Sequence, residues 1–142
     1  MWHTFNYSSY EYIKGSAPPG VDNTRRPILQ VELVAKARRV SIRSVLDSGA
    51  DHCLFPLSLA TELGINLGIS IVAEGIGEWR MGMGSVLLEV PPLLSVGVTA
   101  GFTEKLERIK VGVLGQRGFF EHLDVLFEYS NGLFKLRKPR KR

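Results

Sequence analysis

Val45-Leu46-Asp47-Ser48-Gly49-Ala50-Asp51 is the stretch on which the fold turns. Two apolar residues at the end of a strand deliver a carboxylate into a tight turn. Ser48 can hydrogen-bond neighbouring backbone, and Gly49 lets a second main chain come close. Asp, Ser and Gly are also common turn residues, so on the tripeptide alone an ordinary strand-ending turn is the more frequent explanation. The residues on either side decide between the two.

Upstream, residues 28 to 34 alternate with Leu29, Val31 and Leu33 on one face, the period of a half-buried strand. Lys36 to Arg39 reads as a turn, and Arg39 to Leu46 as a second strand with Val40 and Ile42 facing together. Downstream, Pro56 to Leu63 is the best helix candidate: Pro56 suits a first helical turn, Leu59 and Leu63 share a face, and Gly64 is a stop. Residues 69 to 73 and 85 to 90 are strand-like, and the glycine-spaced segment Gly75 to Gly84 between them predicts a mobile hairpin. Residues 108 to 114 read as another strand, with Ile109, Val111 and Val113 on one face. Leu123 to Phe127 and Leu133 to Leu136 read as short strands about an Asn131-Gly132 turn. Many short strands with one or two short helices predict a mostly-β domain, a small closed barrel.

Three regions are expected: an N-terminal arm over residues 1 to 26, poorly ordered or extended, a domain over 27 to 137, and a basic tail over 138 to 142. The arm is rich in Tyr, Ser, Pro and Gly and shows no sustained period. The chain has 142 residues, 44% hydrophobic and 23% charged, which suits one globular domain able to bury a core without metal or disulfide. One cysteine, Cys53, allows no intramolecular disulfide. The start lacks the basic and apolar signature of a signal peptide, and no stretch reaches about 18 uninterrupted apolar residues, so no membrane segment and a cytoplasmic setting are expected. The net charge of +4 comes from residues 135 to 142, which hold six of the 18 Lys and Arg; the body carries 12 bases against 14 acids. Such a tail can touch RNA, acidic partners or lipid headgroups, but no nucleic-acid-binding face is implied and no nucleic acid is required.

In order along the chain, these elements resemble the retropepsin-like aspartic proteases, the family of retroviral proteases and their cellular and bacterial relatives. The resemblance runs from about Arg26 to Pro139. It takes in the Pro-led strand and hairpin, Val45 to Asp51, the Leu54-Phe55-Pro56 entry to a helix ending Glu62-Leu63-Gly64-Ile65, and the glycine-bearing hairpin in the place of the family's flap. It then takes in Val113-Leu114-Gly115 leading to Gly118-Phe119-Phe120-Glu121-His122, and Leu123 to Glu128. That last stretch is similar to soluble bacterial members.

The resemblance implies a retropepsin-like closed β-barrel with a flap hairpin, and an aspartic endopeptidase in which each subunit supplies one Asp. This chain has a single Asp-Ser-Gly, so Asp47 would act with Asp47 of a second, identical chain across a two-fold axis. Two carboxylates at hydrogen-bond distance would share one proton and activate a water, with no metal and no cofactor. Ser48, Gly49, Ala50 and Asp51 would support the active loop. Gly75, Ile76, Gly77 and Trp79 would form the flap over an extended peptide substrate. Leu114, Gly115 and Arg117 would form the second motif. Relatives often carry Arg after the glycine matching Gly115; here Gln116 stands there, so either Arg117 reaches Asp51 instead, the favoured reading, or that ion pair is missing.

Two other functions compete: a retropepsin-fold dimer that binds peptide or serves assembly without appreciable cleavage, and a nucleic-acid binder working through residues 135 to 142. Cys53 lies in an apolar stretch and reads as core. His3, His52 and His122 lack metal-ligand spacing. Phe119 and Phe120 read as core anchors.

Overall fold

The structure, a computed structural model, describes residues 1–10, 24–68, 70–73 and 79–140, with residues 70–73 and 79 described by their backbone. Ten strands and one α-helix run in the order β1 (His3–Asn6), β2 (Ile28–Ala35), β3 (Arg38–Leu46), β4 (Leu54–Pro56), α1 (Leu57–Leu63), β5 (Ser70–Ala73), β6 (Trp79–Val90), β7 (Leu94–Thr103), β8 (Gly112–Leu114), β9 (Asp124–Glu128) and β10 (Leu133–Arg137) among the described residues.

Six of these strands close a barrel in the order β2-β3-β8-β4-β7-β6, sealed by β6 pairing back on β2, while β5 extends the sheet beyond β6. The expected mostly-β closed barrel is therefore what the chain forms. Alternation sets its walls. Leu29, Val31 and Leu33 of β2 all point into the core, joined by Ile42 and Leu46 of β3 and by Phe55, Leu63, Val86, Leu88, Phe102 and Leu114. Each fully buried Leu or Phe adds about 1.5–3 kcal/mol of apolar transfer.

A second sheet, β1-β10-β9, is antiparallel throughout. Phe134 and Leu136 of β10 are wholly buried in the same core, so this sheet is packed onto the barrel. Phe5 of β1 stacks on Phe134 at 5.4 Å between ring centroids. The first residues of the expected arm are thus a strand: four residues alternate too briefly for a period to show in sequence, and the pairing with β10 supplies the order.

Other departures have local causes. The β2–β3 turn is tighter than expected, with Lys36 and Ala37 both at positive φ and β3 starting at Arg38. Pro56 ends β4 and caps α1 from outside, while Gly64 closes the helix in the left-handed conformation as expected. The strand expected over 108–114 is confined to Gly112–Leu114, because Lys110 takes φ 48° in a turn where its N–H meets the Leu106 carbonyl at 2.9 Å. Ile109, Val111 and Val113 therefore do not share one strand face. The sequence reading has no strand over β7, although Leu94, Val96, Val98, Ala100 and Phe102 alternate and pack on the core, with Gly97 and Gly101 on the opposite face. A Cβ at Gly101 would lie 2.6 Å from the Met81 sulfur and 2.8 Å from Leu54, so those side chains would have to shift to admit one. The Asn131-Gly132 turn is a longer loop, a short 3-10 turn over Tyr129–Asn131 followed by left-handed Gly132.

Candidate active site

β3 and β8 run parallel, with Ser44, Val45 and Leu46 opposite Gly112, Val113 and Leu114. Parallel strands release their following turns at the same end, so the turns after Leu46 and after Leu114 emerge side by side. Four hydrogen bonds join them. The Asp47 N–H donates to the Leu114 carbonyl at 3.0 Å, Gln116 N–H to the Ala50 carbonyl at 2.8 Å, and Arg117 N–H to the Asp51 carbonyl at 3.0 Å. The Gln116 side-chain amide donates to the Ser48 carbonyl at 2.8 Å.

Within the first turn, Ala50 N–H meets the Asp47 carbonyl at 3.1 Å, and Gly49 N–H donates to Asp47 Oδ1 at 2.9 Å. The turn orients the Asp47 carboxylate through its own backbone. Leu46 and Leu114, one residue before each turn, are buried, whereas Asp47, Ser48, Gly49 and Asp51 are exposed. A rigid base thus carries a carboxylate out to the surface. The Ser48 hydroxyl makes no hydrogen bond among the described residues.

Gly115 is fixed by space. A Cβ there would lie 2.3 Å from the His52 carbonyl oxygen and 2.7 Å from that of Ala50. Only glycine lets the two turns approach this closely.

The expected Arg117–Asp51 ion pair is not formed among the described residues: the two residues meet through backbone alone. Gln116 instead braces the loop, its side-chain amide donating to the Ser48 carbonyl. The sequence marks Gln116 only as a departure; its bond to Ser48, 68 residues away in sequence, leaves no local signal. Cys53 is wholly buried, as expected of a core residue, and burial pushes its thiol up to about 11. Phe119 is fully buried and Phe120 half-buried against it, edge to face at 5.3 Å.

Of the expected flap, residues 75 to 77 lie outside the described residues. Trp79 heads β6, and Ala73 pairs with it across the β5–β6 hairpin. Gly82 and Gly84 belong to β6 itself. A Cβ at Gly82 would lie 2.8 Å from Leu67 and one at Gly84 2.6 Å from Ile65, so these two glycines serve packing.

A groove of about 770 Å³ lined by His52, Met83, Val98, Arg117 and Glu121 touches neighbours of the turn but not Asp47. No group of three or more His, Cys, Asp or Glu side chains is placed to hold a metal among the described residues. No helix among them is long and apolar enough to cross a membrane.

Fold and turns together define a class: a closed β-barrel presenting one Asp-Ser-Gly carboxylate at the end of a parallel strand pair. No family model and no curated protein matches the chain in sequence. Solved structures are similar to it, three of them as follows. A retropepsin-like aspartic protease from Rickettsia conorii shares 12% identity over 96% of this chain and 94% of its own, with a TM-score of 0.49. The retroviral protease-like domain of Ddi1 from Leishmania major shares 14% over 80% and 95%, with a TM-score of 0.48. EIAV protease, in complex with the inhibitor HBY-793, shares 17% over 70% and 88%, also at 0.48. The barrel itself stands on its own strand pairings.

Proposed function

We propose that two copies of this chain form an aspartic endopeptidase, with Asp47 of each copy paired across a two-fold axis. The observation that carries the reading is the Asp47 turn: exposed at its tip, its carboxylate oriented by Gly49 N–H, and cross-bonded at its base to the Leu114–Gly115 turn. One such carboxylate is half of an acid–base pair. Two together would share a proton, because like charges at hydrogen-bond distance cannot both ionise cheaply.

The ionised Asp47 would take a proton from a bound water as its oxygen attacks the peptide carbonyl carbon. The protonated Asp47 would donate to the developing oxyanion. The carbon–nitrogen bond then breaks as a proton passes to the leaving amine. The free Ser48 hydroxyl would reach partner backbone, and an extended substrate would lie over the pair beneath the β5–β6 hairpin, with Ile76 or Trp79 excluding water. The single cysteine, a buried thiol, fits a reducing, cytoplasmic setting.

The test compares wild type with Asp47→Asn on a mixed peptide library from acid to neutral pH. Cleavage should fall by at least about a thousandfold in the variant, while folding and dimerisation persist. A wild-type dimer that binds peptide without cleaving it, or equal cleavage by both proteins, overturns the reading.

A further inference from the structure

The strand that carries Asp47 is held from two sides. Asp47 N–H is bonded to Leu114 within the site, and the preceding amide, Leu46 N–H, donates to the Pro27 carbonyl at 2.9 Å. Pro27 has no N–H to bond into the sheet, so its carbonyl and the residues on either side tie it to the strand. On one side β2 begins, with Ile28 opposite Val45. On the other side is Arg26, and Arg26 is clamped by the N-terminal residues.

That clamp has several parts. Ser8 and Arg26 exchange two backbone hydrogen bonds, at 3.0 and 2.7 Å. The Arg26 guanidinium lies 4.4 Å from the Tyr10 ring centroid, and Arg25 lies 5.7 Å from that of Tyr129. Arg43, on β3 four residues before Asp47, donates from Nη2 to the Ser8 hydroxyl and to the Ser9 carbonyl, each at 3.0 Å. Charged donors make the stronger hydrogen bonds, and Arg43 is half-buried, where screening is weaker. None of Ser8, Ser9 and Tyr10 belongs to the buried core. Their contacts are polar and directional, which suits fixing a position better than filling space.

We infer that Arg43 is a positioning residue for Asp47: it fixes Ser8–Tyr10 on the catalytic strand, and through Arg26–Pro27 those residues hold the Leu46–Asp47 backbone in place. The inference rests on the endopeptidase reading for its consequence in catalysis; the mechanical linkage stands apart from it.

The experiment uses the full chain, comparing wild type with Arg43→Ala, Arg43→Lys and Ser8→Ala. Arg39→Ala is the control, since it removes the same charge from the far end of β3, where Arg39 meets Glu89 at 3.2 Å. At concentrations that keep the dimer filled, kcat should fall about ten- to a hundredfold in Arg43→Ala with KM within about twofold, because misplacing a reacting group costs rate more than binding. Arg43→Lys, keeping a charged donor, should recover part of the loss, and Ser8→Ala should lose less. The second readout is hydrogen exchange at the Leu46 amide, which should quicken about tenfold in Arg43→Ala while Ile42 and Val31 stay as protected as before. Should Arg43→Ala not fold, Ser8→Ala, altered outside the barrel, carries both readouts. Unchanged Leu46 exchange overturns the linkage, and a kcat loss shared by Arg39→Ala overturns the positioning role. A wild type that cleaves nothing removes the endopeptidase reading, and Leu46 exchange then still decides whether Arg43 and the N-terminal residues hold this strand.

Discussion

Gly115→Ala adds one methyl group to the most crowded point between the two turns. Real Cβ atoms essentially never come within 3.0 Å of another heavy atom, and this one would sit 2.3 Å from the His52 oxygen, so the turns must part by at least 0.7 Å. The blocking atoms are backbone, so no side-chain rotation relieves them. Parting the turns stretches the Gln116–Ala50 and Arg117–Asp51 hydrogen bonds, now 2.8 and 3.0 Å. Overpacking costs about 1–3 kcal/mol and each lost hydrogen bond about 0.5–1.5, so the change should destabilise by about 2–6 kcal/mol. That is a large part of the roughly 5–15 kcal/mol by which a domain is stable. Gly115 is not among the described glycines at positive φ, so backbone entropy alone would favour Ala by about 0.4–1 kcal/mol; the steric effect decides the sign. Urea unfolding of purified protein measures the cost. Gly97→Ala is the control, since a Cβ there meets nothing within 4 Å and should shift stability by no more than about 0.5 kcal/mol. If Gly115→Ala proves as stable as wild type with the same dependence on urea, the close approach of the two turns does not exist as described.

Two further outcomes follow from single contacts. Glu107 reaches the first turn of α1, accepting from Ser58 N–H at 2.6 Å and from the Ser58 hydroxyl at 3.0 Å, while Pro56 offers that helix no side-chain cap. Glu107→Ala should cost about 0.5–2 kcal/mol in urea unfolding, and an unchanged midpoint would show the cap to be idle. Burial raises the Cys53 thiol from 9.0 unfolded to about 11 folded. Its stabilising effect is complete below pH 9 and is lost as pH climbs through 11, so the stability of wild type relative to Cys53→Ala should fall by about 2–3 kcal/mol across that window. A difference that does not change with pH would refute it.

The barrel was legible where period and function coincide. β2 shows its alternation because one face is buried and the other solvated, and Leu46-Asp47 marks an abrupt passage from core to surface. β7 alternates just as cleanly, with Leu94, Val96, Val98, Ala100 and Phe102 facing the core; what the sequence does not show is that Gly101, on the opposite face, lies against the Met81 and Leu54 side chains. Such a demand is invisible without the neighbours. The false strand over 108–114 shows the reverse: its alternation is real, but one residue at positive φ breaks the geometry that alternation assumes. At the candidate site, the sequence points to Asp47 as the acid that follows an apolar strand, and the close approach of the two turns at Gly115 is a steric demand that only glycine meets. The parts of Gln116, Arg43 and Pro27 could not be read, because they are hydrogen bonds between segments far apart in sequence.

Gln116 bears on how much a second chain would have to supply. An ion pair between Arg117 and Asp51 would tie the turns through two exposed side chains, where such a pair contributes little and weakens with salt. An amide on a backbone carbonyl at 2.8 Å carries no net charge, so salt does not screen it, and it is flanked by two backbone bonds and a glycine that admits no larger residue. The Asp47 turn is therefore set within one chain. In the endopeptidase reading, association then does not have to fold the site. It brings a second carboxylate to one already aimed, and activity follows the dimer population by mass action, with salt acting on the interface rather than on the turn.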